Sequence, residues 1–384
     1  MKPTLLYVSP FWPQRSGISE YSETLVWGLK EYFDIVILTK KKIDNSHIKK
    51  EFETRIYRKD EDYSGYDYII YNFGNSPDNH DYMYNMLKMF PGYVILHDFS
   101  LYYLTVDHYR ERDILFQKIY ELEGIQGIVR VKDSIKEKGI DDLIQHKDLP
   151  PLLPLNKEVL HNATGVIVHS DYVREKVHSV NSEVPICKIE LVDCMPNVTF
   201  DDDDYLRKKY KFEQDDFIIG AVGMIALSKQ NKITCEAVKV YNQTHKKKMK
   251  YVMIGAGDYV DSYLDKNIVK TGFLENHEFF NAIKSCNVIF NLRKPYNGES
   301  SATLMQCMLM GKHCLVTDIG WFNELPDDCV IKVSEDITVN ELVRNIEECM
   351  QLSTLNEKGK KFVAEKCNSK AVAEDIKNFL VQQL

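Results

Sequence analysis

Short, continuous apolar runs recur along this chain, each followed by a polar or glycine-bearing loop and then a helical stretch. This alternation constrains the fold more than any other feature. "TLLYVSP" (4–10) leads into "SGISEYSETLVWGLKEY" (16–32), where Ile18, Tyr21, Leu25, Val26 and Leu29 fall near one helical face. "DIVILT", "YDYIIYN", "GYVILHD" and the run Val166, Ile167, Val168 continue the series. Such runs read as buried strands of a parallel sheet with helices on its faces. After the charged interval "TFDDDDYLRKKYKFEQ" the pattern restarts with "DFIIGAVG", "KYVMIGAG", "IVKTGFL", "NVIFNL" and "HCLVTD". The expected architecture is α/β, with a first domain over 1–198, a linker over 199–212 and a second domain over 213–370. A helix over 371–384 is expected to return to the first domain.

The 384 residues are enough for two such domains, and 44% hydrophobic with 28% charged residues is the balance of a folded chain. A formal charge of −8 argues against nucleic acid as a partner. Lysines 40–42 and 246–248 are local basic runs that read first as solvated faces. All nine cysteines lie at or beyond Cys187 and none forms a CxxC pair, so neither a zinc nor a redox signature is present, and no H-E-x-x-H occurs. No run reaches the roughly 18 apolar residues of a spanning helix. With no signal-like start, the expected location is cytoplasmic.

Four loops follow the strands closely enough to carry chemistry. "NLRKPYNGESSATLMQCMLMG" (291–311) runs from a strand into a helix expected over 300–310, whose start exposes unpaired N–H groups and a partial positive charge. Ser300 and Ser301 are then placed to hold a phosphate, with Gly298 allowing close approach, while Glu299 can accept hydrogen bonds from sugar hydroxyls. An N-cap serine and a first-turn glutamate in a purely structural role explain the same residues equally well. Gly17 sits at a strand-to-helix turn and serves either as an anion-binding loop or as a turn. Lys229, in "VGMIALSKQNK", is a candidate for a diphosphate or an ordinary surface lysine. His97 and Asp98, in "VILHDFS", either orient a hydroxyl or end a strand.

Taken in order, "RSGISEY", "VILHD", "VGMIALSKQ", "IGAGD", "TGFLENHEFFNAIKSCNVIFNLRKPYNGESSATLMQCMLMGK" and "VTDIGWFNELP" resemble the retaining glycosyltransferases of family 4. The resemblance covers nearly the whole chain and is most specific over 271–326. It implies the GT-B fold, two Rossmann-like domains facing across a cleft, with the nucleotide sugar held by the second and the acceptor side supplied by the first. It implies further that Gly17 lies beside the donor phosphates, His97 near the transferred sugar and Lys229 against the diphosphate. Glu299 matches the first carboxylate of the paired-glutamate motif, Ser300 and Ser301 the phosphate-facing helix start, and Gly272, Phe273 and Leu274 the segment beside the base.

The chain departs from the pattern where Met224 replaces an arginine and Gln306 the second glutamate, and the interval from Glu299 to Gly311 is one residue short. Gln306 can still hydrogen-bond ribose hydroxyls.

The implied catalytic residues are His97, Lys229 and Glu299, with Asp98 on the acceptor side. The implied activity is hexosyl or N-acetylhexosaminyl transfer from a UDP- or GDP-sugar, without a metal or other cofactor, in bacterial surface-polysaccharide or lipopolysaccharide assembly. The acceptor is a glycan or a lipid-linked glycan. Peripheral contact with the inner face of the cell membrane is a further expectation, through the segment carrying Tyr102, Tyr103, Leu104, Tyr109, Phe116 and Ile119 with Arg110, Arg112 and Lys118; burial of that face within its own domain is the simpler reading. The alternatives are a nucleotide-sugar epimerase, a phosphorylase using the same fold, and a catalytically weak nucleotide-sugar-binding module.

Overall fold

The computed structural model describes residues 2–14, 16–110, 114–139, 143, 148–196, 198–352 and 355–382. The chain forms two compact units. One comprises Met1–Val192, Asn297–Ser300 and Cys367–Leu384, and the other Asp193–Tyr296 and Ser301–Lys366.

The first unit holds a seven-stranded sheet of β1 (Thr4–Val8), β2 (Asp34–Thr39), β3 (Glu53–Ile56), β4 (Tyr68–Phe73), β5 (Tyr93–Leu96), β6 (Gly165–Val168) and β7 (Ile186–Lys188). The order across the sheet is β3-β2-β1-β4-β5-β6-β7, and every pairing is parallel. Leu5, Leu6, Tyr7 and Val8 are wholly buried, as are Val166, Ile167 and Val168. The interior strands are therefore apolar on both faces, because helices cover both sides.

Ser16 starts the helix Gly17–Leu29 by accepting a hydrogen bond from the Ile18 N–H, and Tyr21, Leu25, Val26 and Leu29 form its buried side. The helix Ser369–Gln382 packs against it at Gly28, where a Cβ would lie 2.1 Å from the Ser369 carbonyl oxygen. Only glycine permits that approach.

The second unit holds β8 (Phe217–Val222), β9 (Met249–Ile254), β10 (Ile268–Lys270), β11 (Val288–Asn291), β12 (His313–Thr317) and β13 (Ile331–Val333), again all parallel, in the order β10-β9-β8-β11-β12-β13. Its core joins Ile219, Tyr251, Met253, Phe290 and Leu315 to Val238 and Leu342 from the covering helices. The acidic run and the helix Tyr205–Tyr210 belong to this unit: Leu206 N–H donates to Ser285 Oγ at 3.2 Å, and Tyr205 Oη to Glu278 at 2.8 Å.

Both sheets thus wind outward in two directions from a first strand, β1 in one and β8 in the other. In such sheets the ends of the strands beside the reversal point, β1/β4 and β8/β11, are where ligands bind.

Candidate functional site

In the second unit, the loop after β8 and the end of β11 enclose a small pocket lined by Val222, Gly223, Lys229, Asn291, Leu292 and Arg293 among others. Lys229 ends a short 3-10 turn (Leu227–Lys229), and its Nζ donates to the Val222 carbonyl at 2.9 Å. Met224 is 73% exposed and brings no charge to this place. Arg293 does. It is 5% exposed, one N–H donates to the Leu292 carbonyl at 2.9 Å, and the guanidinium lies 5.3 Å from the Phe322 ring centroid. No sequence motif marks Arg293; two residues past an apolar strand it reads as a surface cation.

The helix expected over 300–310 begins two residues later, as Ala302–Leu309, with Ser301 as its N-cap. Ser301 is buried. Its hydroxyl accepts from the Leu304 N–H and from Asn291 Nδ2, at 3.3 and 3.1 Å. The structural reading of that serine is realised, while the first-turn N–H groups of Ala302 and Thr303 have no acceptor inside the helix. Glu299 lies two residues before the cap, outside the first turn, and accepts from the Asn297 N–H at 2.9 Å. Gln306 is buried, its amide donating to the Cys194 carbonyl at 3.0 Å. Gly272 adopts φ +72, Phe273 is exposed and Leu274 buried.

In the first unit, His97 and Asp98 follow β5. The His97 N–H donates to the Phe73 carbonyl at 2.9 Å, and Nε2 lies 3.1 Å from Asn72 Oδ1. Tyr21 packs edge-on against the imidazole at 4.6 Å between centroids, and His169 lies 5.4 Å from it. His97 keeps a little exposed surface, yet burial pushes its pKa well below the usual histidine range, helped by His169 and His80. His169 and His80 are each pushed down to about 4, chiefly by burial. All three rings are therefore neutral near pH 7.

Burial raises the Asp98 carboxyl to about 6; the Asn75 N–H, donating at 3.0 Å, opposes this and the Glu299 carboxylate adds to it. The segment Asn297–Ser300 thus brings Glu299 within electrostatic reach of Asp98. Gly298 makes this possible: its φ is +85, and a Cβ there would lie 2.6 Å from the Phe99 Cβ. Gly17 differs. A Cβ there would meet nothing within 4 Å and its φ is not positive, so the fold does not require glycine at that turn.

The segment expected to face a membrane is mostly core. Tyr102, Leu104, Tyr109 and Ile119 are buried, Tyr103 is half-buried, and Arg112 lies outside the described residues. Lys118 pairs with Glu121 and Glu158, and Arg110 with Asp107. Of the residues expected on that face Phe116 is exposed, and on its helix Leu115–Lys138 Tyr120, Ile125 and Val129 are exposed with it. A more open hollow beside Arg174, His178, Val184 and Ile186 lies at the β7 edge and shares no residue with these sets. Among the described residues no group of three or more His, Cys, Asp or Glu side chains is placed to hold a metal. No helix among them is long and apolar enough to cross a membrane.

This architecture is found in solved structures. The sucrose-phosphate synthase of Thermosynechococcus elongatus is 15% identical and superposes with a TM-score of 0.66 over 99% of this chain and 98% of its own. HepE of Anabaena, solved in complex with UDP, is 13% identical with a TM-score of 0.64 over the whole of both chains. WaaG, a glycosyltransferase involved in lipopolysaccharide biosynthesis, is 10% identical with a TM-score of 0.58 over 98% and 99%. The fold is that of the GT-B glycosyltransferases. At these identities the likeness speaks for the fold alone. No family model matches the sequence, and no curated protein does.

Proposed function

We propose that the chain is a retaining glycosyltransferase that moves a sugar from a nucleotide-diphosphate sugar to a hydroxyl of a glycan or lipid-linked acceptor. The observation that carries the reading is the pairing of Lys229 with Arg293 in one pocket at the carboxyl ends of β8 and β11, the place where a doubly wound sheet receives phosphate. As the glycosidic bond breaks, negative charge grows on the departing diphosphate. Lys229, Arg293 and the helix-start N–H groups of Ala302 and Thr303 stabilise it more strongly than they stabilise the bound donor. Arg293 compensates for the uncharged Met224. Glu299 and His97 hold the sugar while it acquires oxocarbenium character, and Asp98 serves the acceptor side. Gly17 lets the chain approach the phosphates, and Gly272, Phe273 and Leu274 lie beside the base.

The UDP complex of HepE supports a uridine diphosphate donor, and WaaG's part in lipopolysaccharide biosynthesis supports a glycan acceptor. A peripheral membrane contact is assigned to Ile125 and Val129, which the folded chain leaves in solvent. One observation favours a second reading, a nucleotide-sugar-binding module of weak activity: the Gln306 amide is already held by the Cys194 carbonyl and so gives little help to a ribose.

A screen of UDP- and GDP-sugars against glycan and lipid-linked acceptors separates the readings. Acceptor-dependent release of nucleoside diphosphate supports transfer. Binding without turnover favours the module, and conversion of the donor without acceptor favours an epimerase.

A further inference from the structure

Asn72 is a wholly buried polar residue in the interior strand β4, beside His97. Its carboxamide has three neighbours: Nδ2 lies 3.4 Å from the Val8 carbonyl oxygen, and Oδ1 lies 3.3 Å from Tyr7 Oη and 3.1 Å from His97 Nε2. Turning the amide over would set Oδ1 against the Val8 carbonyl, oxygen facing oxygen, and lose that bond in a buried place. The observed orientation is therefore fixed from the β1 side, and it presents an acceptor to the imidazole. Tyr7 supports it, since its hydroxyl can donate to Oδ1 or to Ser22 Oγ, and Ser22 is joined to Ser9 at 2.6 Å. All of Tyr7, Ser9, Ser22 and Asn72 are buried.

A neutral imidazole carries one N–H. With an acceptor 3.1 Å from Nε2, that proton belongs on Nε2, and Nδ1 is left with its lone pair. Tyr21 packed edge-on against the ring, with His169 beside it, restrains the ring from turning.

We propose that Asn72 is a positioning residue that fixes His97 as the Nε2–H tautomer, so that Nδ1 accepts a hydrogen bond from a hydroxyl of the bound sugar. The role of Nδ1 rests on the glycosyl-transfer reading; the tautomer does not. A sugar group facing Nδ1 must then be a donor, which makes this position selective for a hydroxyl over an ether or a deoxy carbon at the same place.

The tautomer is read directly from protein carrying 15N-labelled histidine, by long-range 1H–15N correlation on the unliganded wild type, with His97 assigned by its loss in His97→Gln. The expected pattern is a protonated Nε2 and a bare Nδ1, unchanged between pH 8 and 6. In Asn72→Leu the pattern should shift toward a mixture of tautomers, and kcat should fall about 10-fold or more while the donor KM changes less than about 3-fold, as expected when orientation rather than binding is lost. A protonated Nδ1 or an averaged pair in the wild type overturns the proposal whether or not the variant folds, and so does an unaltered His97 in Asn72→Leu. If the tautomer is as expected but no nucleotide sugar supports transfer, the glycosyl-transfer reading fails and the role given to Nδ1 fails with it.

Discussion

The carboxyl ends of the two sheets are made of opposite materials. In the first unit the ends of β4, β5 and β6 carry a buried amide, neutral imidazoles and a carboxyl that burial keeps largely protonated below about pH 6. In the second, the ends of β8 and β11 carry a lysine and an arginine, with a helix start nearby whose first N–H groups have no acceptor inside the helix. The strand order around the reversal point is the same in both. Topology therefore fixes where chemistry can sit, and the loop residues fix which chemistry it is. Neutral acceptors and donors suit a sugar, and fixed cations suit a diphosphate.

The largest expected effect breaks the comparison on both sides at once. Lys229→Ala removes charge from the departing diphosphate, and Glu299→Gln keeps the side chain's size while weakening it as an acceptor. Each should lower turnover roughly 100- to 1,000-fold, about 3 to 4 kcal/mol of barrier, with thermal unfolding close to wild type. Near-wild-type turnover in a folded variant would remove that residue from the mechanism. Arg293→Met should come next. It keeps much of the packing over Phe322 but not the charge, and kcat/KM for the donor should fall about 10- to 100-fold, with Arg293→Lys recovering part of the loss. If the two variants behave alike, charge at this position is irrelevant.

Asp98→Asn sharpens the contrast through stability. Asp98 holds its proton more tightly in the folded chain than in the unfolded one. It costs nothing below about pH 4, the cost grows as pH rises toward 6, and above that it stays constant. The substituted amide would keep an acceptor for the Asn75 N–H without the charge beside Glu299, so the variant should be more stable than wild type by about 1 to 2 kcal/mol at pH 8, with the difference vanishing at pH 4. Equal stabilities at pH 8 would show that the buried carboxylate carries no penalty. The smallest effect concerns the outer face of the first unit. Changing Ile125 and Val129 together to Asp should weaken sedimentation with anionic vesicles at low salt by about 5- to 10-fold and leave activity on a soluble acceptor unchanged.

Much of the fold was legible because interior parallel strands are apolar at nearly every position. "DIVILT" and the run Phe217–Val222 coincide with β2 and β8. The edge strands β3 and β7 were not, since β3 is mostly exposed and the three residues of β7 are partly exposed, leaving no such run. Helix starts were less well defined than strands: Ser300 and Ser301 are equally good caps by residue type, and the bonds of Ser301 to Leu304 and Asn291 decide between them. For Tyr102, Leu104 and Tyr109, where tyrosines sit among charges, the sequence leaves a membrane face open beside burial as the simpler reading, and the fold buries them. Asn72 was hidden within an apolar run and Arg293 behind one. The importance of each comes from a residue distant in sequence, His97 bonded to the first and Lys229 lining the same pocket as the second, and neither spacing forms a local motif.

The most direct test of the account is the anomeric configuration of the product made by the wild-type chain from a UDP-sugar of known configuration, read by NMR coupling at the new glycosidic carbon. The account predicts acceptor-dependent release of UDP and a product with the donor's configuration. An inverted product, or intact donor across the whole panel of sugars and acceptors, would contradict it.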